Sequence, residues 1–299
     1  MDGSVVAGDL IAALRESALL ANVTIGVWRA EQTNKKALEK LKADAGATGD
    51  VGRLLINRLA GADEKYKEMV AEFSKVRTLH NSMTLPWVSD PSAERATGSR
   101  LLPHLLFQQY LTAVGAQKTK AFKALDEFMV LYPGCVVRAQ AQLAGLAEAV
   151  YPDVDEVRAR FRVHFDFEPI PEGASFKGLP EFTTERLAKG LEQRQSRMLA
   201  EAQKAMWDTV KERVGHIVER LGDPENRFKE ATLENTKELL TLLPGWNLAG
   251  DPHIGHVVNE IKTMLDGVDG KLIRDNPTVR KEVADKAKDL LGRMQVWGV

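Results

Sequence analysis

The sequence predicts a mainly α-helical protein with a small β element, an α+β fold. Over most of the chain, apolar residues recur every three or four positions, which is the period of a helix that buries one face. The longest such pattern runs from Pro180 to Leu221. Two segments instead alternate apolar and polar residues, as strands do: 22–28 (NVTIGVW) and 162–168 (RVHFDFE). We expect these two strands to pair in one sheet.

The N-terminal elements follow from local spacing. Residues 9–20 have helical spacing, and Asp9 is a good N-cap residue. The lysine-rich segment 29–47 is predicted to be a helix that ends at the glycines of GATGDVG. Segment 52–61 fits a strand or a helical turn equally well. Residues 62–79 have a clear amphipathic pattern and are predicted to be a helix.

Prolines and glycines divide the rest of the chain into helices. The helix that follows Pro103 is predicted over 104–131 and is expected to stop at Tyr132-Pro133-Gly134, because proline lacks a backbone donor. Further helices are predicted over 136–150, 154–161, 228–243, 252–265 and 279–294. The helix 180–221 would be about 60 Å long. A helix of that length is expected to pack several neighbours and to build a homo-oligomer.

The turn at 169–180 is the best candidate for a domain boundary. It would separate a basic N-terminal region, 1–170, which holds both strands, from a helical C-terminal region, 171–299; the alternative is one compact domain. The net charge of −1 conceals an asymmetry, because residues 1–123 hold 17 Lys and Arg against 13 Asp and Glu, whereas the remainder holds 24 against 29. Any nucleic acid would therefore meet a local basic patch and not a globally basic protein.

Composition excludes several classes of protein. No apolar run approaches the 18 or so residues of a membrane span, and the acidic N-terminus does not resemble a secretory signal. Cys135 is the single cysteine, so a disulfide framework within one chain is excluded and a reducing cytoplasm fits.

Motifs for catalysis are missing from the sequence. It contains no phosphate-binding glycine loop and no HExxH. His253 and His256 could share one helix face, but zinc needs further ligands, and Asp251 before them fits a helix cap better. Cys135 lies in an apolar context and is interpreted as a small core residue. We expect a protein that is not an enzyme and has no cofactor or metal.

The stretch from Met83 to Lys123 combines positive charge with aromatic rings. From Arg95 to Lys123 it has five basic residues and no Asp or Glu, and Trp87, Phe107, Tyr110 and Phe122 are interleaved. Single-stranded nucleic acids need cations for their phosphates and rings for their bases. Buried rings with solvated lysines are the alternative interpretation. The candidate nucleic-acid-binding residues are Arg29, Lys35, Lys36, Trp87, Arg95, Arg100, Tyr110, Lys118, Lys120 and Lys123, with Trp87 and Tyr110 expected to stack on bases.

Several sequence blocks within residues 24–180 resemble those of a family of bacteriophage early proteins. The resemblance rests on TLPWVSDPSAERATGSRLLP and on YPGCVVRAQAQLAGL, AVYPD and FRVHFDFEPIPEGASFKGLP. Among phage proteins of this length, the chain is similar to the single-stranded-DNA-binding RNA polymerase cofactor (Drc type) of podoviruses. That resemblance implies sequence-independent binding of single-stranded DNA, homo-oligomerisation and support of phage transcription or replication in the host cytoplasm. A phage RNA polymerase would be a partner, and no membrane would be involved.

We therefore expect a sequence-independent single-stranded-DNA-binding protein of a bacteriophage. One alternative is an oligomeric phage structural or host-interaction protein that binds no nucleic acid and uses the long helix and Trp297. A metal-dependent enzyme centred on His253 and His256 is a further alternative.

Overall fold

The computed structural model describes residues 3–60, 64–88, 98–146, 151–176, 178–223, 226 and 228–297, and it confirms a mainly helical protein with a small antiparallel sheet. The helices are α1 (Gly3–Ser17), α2 (Lys35–Ala45), α3 (Glu64–Met83), α4 (Phe107–Leu143), α5 (Val154–Ala159), α6 (Glu181–Gly222), α7 (Ala231–Trp246), α8 (Pro252–Leu265), α9 (Gly270–Asp275) and α10 (Pro277–Val296). The strands are β1 (Ala18–Gly26), β2 (Glu31–Thr33), β3 (Leu55–Asn57), β4 (Leu85–Pro86), β5 (Arg100–Pro103) and β6 (Arg162–Glu168). None of the helices described here is both long and apolar enough to cross a bilayer.

The main sheet has four strands in the order β4-β5-β1-β6. The two strands predicted from alternation, β1 and β6, are neighbours in it, so their predicted pairing is confirmed. β1 begins at Ala18, however, within the segment predicted to be helical. Ala18 lies opposite Pro103 in the antiparallel pairing of β1 with β5, and this long-range pairing overrides a local pattern that fits a helix as well.

The chain divides into two compact units. Unit 1 comprises Met1–Asn22, Asn81–Tyr110 and Asp166–Val299, and unit 2 comprises Val23–His80 and Leu111–Phe165. Both units are assembled from segments that are distant in sequence, whereas the predicted division placed a single boundary near residue 170. Counted from the sequence, unit 2 holds 18 Lys and Arg against 14 Asp and Glu, a net of +4, and unit 1 holds 23 against 28, a net of −5.

The core of unit 1 is built on the long helix predicted from the sequence. Its apolar seam, from Leu199 to Leu221, is buried, and the helix packs against α1, α7 and α10. The predicted cap also forms, since Asp251 accepts a hydrogen bond from the backbone N–H of His253 (2.9 Å) and another from Trp207 Nε1 (3.0 Å). The chain itself covers this seam, and the homo-oligomer expected of the long helix stays a prediction.

The core of unit 2 is aromatic. Trp28 is buried and meets Tyr66 and Tyr132 edge to face, with ring centroids 6.1 and 5.7 Å apart. The Tyr66 hydroxyl donates to the Trp28 carbonyl (2.9 Å), and burial raises the pKa of Tyr132 to about 12. Cys135 is buried in the same cluster, which confirms its interpretation as a core residue.

Two helices continue through prolines at which the sequence predicts an end. α4 passes Pro133 and runs on to Leu143, and α7 passes Pro244. A proline inside a helix costs about 3 kcal/mol or more through its lost hydrogen bond and its ring clash. Pro133 is solvent-exposed, while Tyr132 and Cys135 beside it are buried. The core contacts on both sides of the proline therefore keep the helix continuous.

Three further assignments differ from the sequence. Residues 29–34 are not helical: they include β2, and α2 begins only after them. The ambiguous segment 52–61 contains a strand, β3, which pairs antiparallel with β2. The turn of helix at Gly270–Asp275 was not predicted, because six residues are too few for a periodic signal.

Replacing Gly245 with alanine is expected to destabilise unit 1. A Cβ there would lie 2.6 Å from Leu106 Cγ, which is in a buried side chain, so the core would be overpacked. We expect the free energy of unfolding to fall by about 1–3 kcal/mol in urea denaturation. Gly255→Ala is the matched control, since a Cβ there meets nothing within 4 Å. That helical substitution should raise stability by roughly 0.5–1 kcal/mol; equal effects of the two changes would contradict the packing.

Candidate nucleic-acid interface

The structure separates the predicted binding residues into two groups. Six lie in unit 2: Arg29, Lys35, Lys36, Lys118, Lys120 and Lys123. Trp87, Arg100 and Tyr110 lie in unit 1, and Arg95 falls outside the described residues. The unit 2 group consists of cations without rings, whereas the unit 1 group contains both of the rings that were expected to stack on bases.

The Arg100 side chain is held in place by hydrogen bonds within the protein. Its Nε donates to Thr84 Oγ1 (2.7 Å), and its NH2 donates to the backbone carbonyls of Thr84 (2.7 Å) and Asn81 (3.1 Å). Burial lowers the pKa of the guanidinium to about 10. The side chain joins β5 to the C-terminal end of α3, where a cation also meets the negative end of the helix dipole. We therefore assign Arg100 a structural role in place of the phosphate contact that was expected.

The two predicted stacking rings are buried. Trp87 is 7% exposed and Tyr110 is 0% exposed. The Tyr110 ring meets Phe167 edge to face, with centroids 6.1 Å apart, and burial raises the pKa of its hydroxyl. A base can stack only on an open ring face. Neither ring offers one in this structure, so the expectation that they stack on bases is corrected.

The three lysines of α4 lie on its outer side. Lys120 and Lys123 are exposed, and Lys118 is partly buried. Hydrogen bonds from Lys75 and Gln117 hold the pKa of Glu72 below its usual value, and the charge of Lys120 acts in the same direction. The negative charge of Glu72 therefore offsets part of the positive charge of Lys120.

Lys35 and Lys36 lie in a different setting, at the start of α2. The antiparallel pair β2–β3 presents this helix: Asn34 N donates to the carbonyl of Leu54 (3.0 Å), and Asn34 Oδ1 caps the helix by accepting from Ala37 N (2.9 Å). Gly46, in the left-handed region at φ 64°, ends it. These local bonds define the helix, because no residue of α2 is buried.

A cleft of about 1330 Å³ opens beside α2. We call it the lysine cleft. Its lining includes the lysines Lys35, Lys36 and Lys40, the leucines Leu41, Leu54, Leu143 and Leu146, and one acidic residue, Asp44. Within the described residues, none of the three lysines forms an ion pair. The cleft therefore combines three lysines that form no ion pair with four leucine side chains.

The position of these lysines works against the stability of their own helix. The N-terminal end of a helix carries a partial positive charge, so cations there typically cost 0.3–1 kcal/mol, whereas anions are favoured. Lys35 and Lys36 occupy the first two positions of α2, and its first turn has no acidic residue. A bound phosphate would remove this repulsion and would also meet the free amide groups of the first turn.

Sequence reasoning missed part of this site. Lys40 is one helical turn after Lys36, so the spacing could have shown that both lie on one face. The segment Leu143–Leu146 was also missed, because it was predicted to be part of a separate helix over 136–150 and nothing in the sequence linked it to α2.

The other candidate sites do not assemble. The ring of His253 stacks on Trp297, with centroids 4.7 Å apart and planes at 14°, so the terminal tryptophan folds back onto α8. Across the part of the chain that is described, no three His, Cys, Asp or Glu side chains lie close enough together to hold a metal ion.

Comparisons with protein-family models, with curated proteins and with solved structures found no match. The resemblance to the phage early proteins therefore stays a prediction, and the charge and shape of the lysine cleft carry the functional argument.

If Arg100 is structural, its removal should change stability and not affinity. We expect Arg100→Gln to lower the free energy of unfolding by about 2 kcal/mol, because three hydrogen bonds are lost, two of them to the buried Thr84. The dissociation constant for an oligo-dT strand, measured by fluorescence anisotropy on the folded variant, should stay at the wild-type value. Unchanged stability with weakened binding would restore Arg100 to the interface.

Proposed function

We propose that this protein binds single-stranded nucleic acid through the phosphate backbone, without reading sequence. The observation that carries the proposal is the lysine cleft, whose lining combines three lysines without ion pairs and four leucines in the positively charged unit. Lys35, Lys36 and Lys40 contact phosphates, with Arg29, Lys120 and Lys123 as further exposed cations in the same unit.

The size and lining of the cleft favour a single strand. Pockets for small molecules span about 300–1,000 Å³, and the lysine cleft exceeds this range. The leucines of the lining can cover the apolar face of an unstacked base, which a duplex keeps inside its stack. The sequence also has no helix-turn-helix, finger or basic-zipper pattern of the kinds that enter a major groove. DNA and RNA strands share the chemistry that this cleft recognises.

The resemblance to phage early proteins places this binding in a biological setting. It supports a role in phage transcription or replication in the host cytoplasm, with a phage RNA polymerase as partner. A sequence-independent backbone binder suits such a role because it can coat whichever strand the polymerase exposes.

The alternative is an oligomeric structural or host-interaction protein. One surface favours it: on α4, Val130 is 81% exposed and Val137, two turns later, is 66% exposed. Exposed aliphatic residues seven positions apart are typical of a helix that pairs with another helix. This alternative predicts a defined oligomer in light scattering that Val130→Glu dissociates, and no salt-sensitive affinity for nucleic acid.

The lysine cleft is tested by removing its charge. We expect the triple variant Lys35→Gln, Lys36→Gln, Lys40→Gln to bind oligo-dT more weakly than wild type at about 50 mM salt. The slope of log affinity against log salt should fall in magnitude by about 2, since each phosphate contact on a single strand contributes about 0.7. Fluorescence anisotropy measured over a salt series gives both quantities.

The matched control is Lys65→Gln, Lys67→Gln, Lys75→Gln. It removes the same charge from unit 2, but from exposed lysines that form ion pairs along α3. It should leave the salt slope at the wild-type value. Equal losses in the two triple variants would mean that net charge, and not the cleft, governs binding, and no binding by the wild type would refute the proposed function.

A further inference from the structure

A second cationic surface lies on α6, in unit 1. Seven residues recur at steps of four and three along its N-terminal half, and all seven are exposed: Phe182, Arg186, Lys189, Gln193, Arg197, Ala200 and Lys204. With 3.6 residues per turn, this spacing places them in one row on the side of the helix opposite the buried positions Gln195, Leu199 and Ala202. We call these seven residues the α6 row.

The α6 row carries four positive charges and no negative charge. It contains two arginines, two lysines and no acidic residue. No ion pair or side-chain hydrogen bond involves these four cations in the described part of the chain. Glu185 is four positions from Lys189, and Glu201 is three or four positions from Lys204 and Arg197, but neither carboxylate forms an ion pair with the row in the described residues.

Helix α3 differs from the α6 row because its exposed lysines form ion pairs. On α3, three lysines pair with glutamates three positions away: Lys65 with Glu68, Lys67 with Glu64, and Lys75 with Glu72. Such pairs are the usual way for an exposed helix to balance its charge. On the α6 row, acidic residues stand at the same spacings but no ion pair is formed, so the cations are available to an external anion.

Phe182 opens the row with an exposed ring. It is 76% exposed, and every other Phe, Tyr and Trp in the described residues is buried or partly buried. An open aromatic face beside a line of cations is the combination that single-stranded nucleic acids require, because the ring stacks on a base while the cations hold phosphates.

We propose that the α6 row is a second contact surface for a single nucleic-acid strand, with Phe182 stacking on a base and Arg186, Lys189, Arg197 and Lys204 contacting phosphates. This inference rests on the proposed function and adds a site in the other unit. From Arg186 to Lys204 the row extends about 27 Å at 1.5 Å per residue, which suits an extended strand. An anionic membrane is a poorer partner, because an interfacial helix needs a broad apolar face and this row has one large apolar side chain.

The charge of the row is tested by the triple variant Arg186→Gln, Arg197→Gln, Lys204→Gln. We expect its salt slope for a long oligo-dT strand to fall in magnitude by about 2. The control Lys271→Gln, Lys286→Gln, Lys288→Gln removes three exposed lysines of the same unit and should keep the wild-type slope. Circular dichroism and thermal melting show that both variants are folded.

The ring is tested by Phe182→Leu against Phe182→Tyr. Loss of one stacked base weakens binding roughly tenfold, so the leucine variant should lose about that factor, while the tyrosine variant keeps wild-type affinity. Equal affinities of the two variants would exclude stacking. Binding to phosphatidylserine vesicles that matches or exceeds binding to oligo-dT would overturn the choice of partner.

The outcomes separate this inference from the proposed function. If the α6 variants keep wild-type affinity and slope while the lysine-cleft variant loses both, the α6 row is refuted and the cleft stands. If only the α6 variants lose affinity, the cleft is refuted and the row stands. If wild type does not bind oligo-dT at all, both are refuted.

Discussion

The partly buried guanidinium of Arg100 holds the surrounding stretch of chain in the fold. It occupies the carbonyl groups at the end of α3, and Trp246 Nε1 donates to the neighbouring carbonyl of Met83 (3.3 Å). These bonds fix β4 and β5 against the helices of unit 1, and the rings of Trp87 and Tyr110 are buried in the process. The aromatic rings that suggest a binding surface in the sequence therefore belong to the buried core. Cations available to a ligand have to be sought on other elements.

The elements that carry such cations can be identified because these lysines and arginines form no ion pairs. A surface ion pair contributes only about 0–1 kcal/mol, so pairing is a small gain for the fold. It is nevertheless the rule along α3, and Lys42 of α2 also pairs with Glu39. Within the described residues, Lys35, Lys36 and Lys40 of α2 and the four cations of the α6 row form no ion pair. At the start of α2 the arrangement even opposes the helix dipole. Both surfaces are thus arranged for an external anion, and the one open aromatic ring of the described chain lies on the second of them.

Sequence rules that use only neighbouring residues predicted the elements that depend on neighbouring residues. The extent of α6 and the alternation of β6 follow from periodicity, and the cap at Asp251 follows from residue type. The passage of α4 through Pro133 and the start of β1 at Ala18 depend on contacts with distant residues, which no window of sequence contains. The site shows the same limit. Composition identified cations and rings correctly, but exposure decides their use: Tyr110 packs on Phe167, 57 residues away in sequence, whereas Phe182 is open.

Hydrogen–deuterium exchange of the full chain, with and without saturating oligo-dT, tests most directly whether the strand lies on the unpaired cations and not on the Met83–Lys123 aromatics. α2 buries no residue, so its amides should exchange fast in the free protein and give a large change on binding. The account predicts slower exchange in peptides covering Lys35–Ala45 and the first half of α6, with residues 98–110 unchanged. Protection confined to residues 84–88 and 98–110, with α2 unaffected, would contradict it.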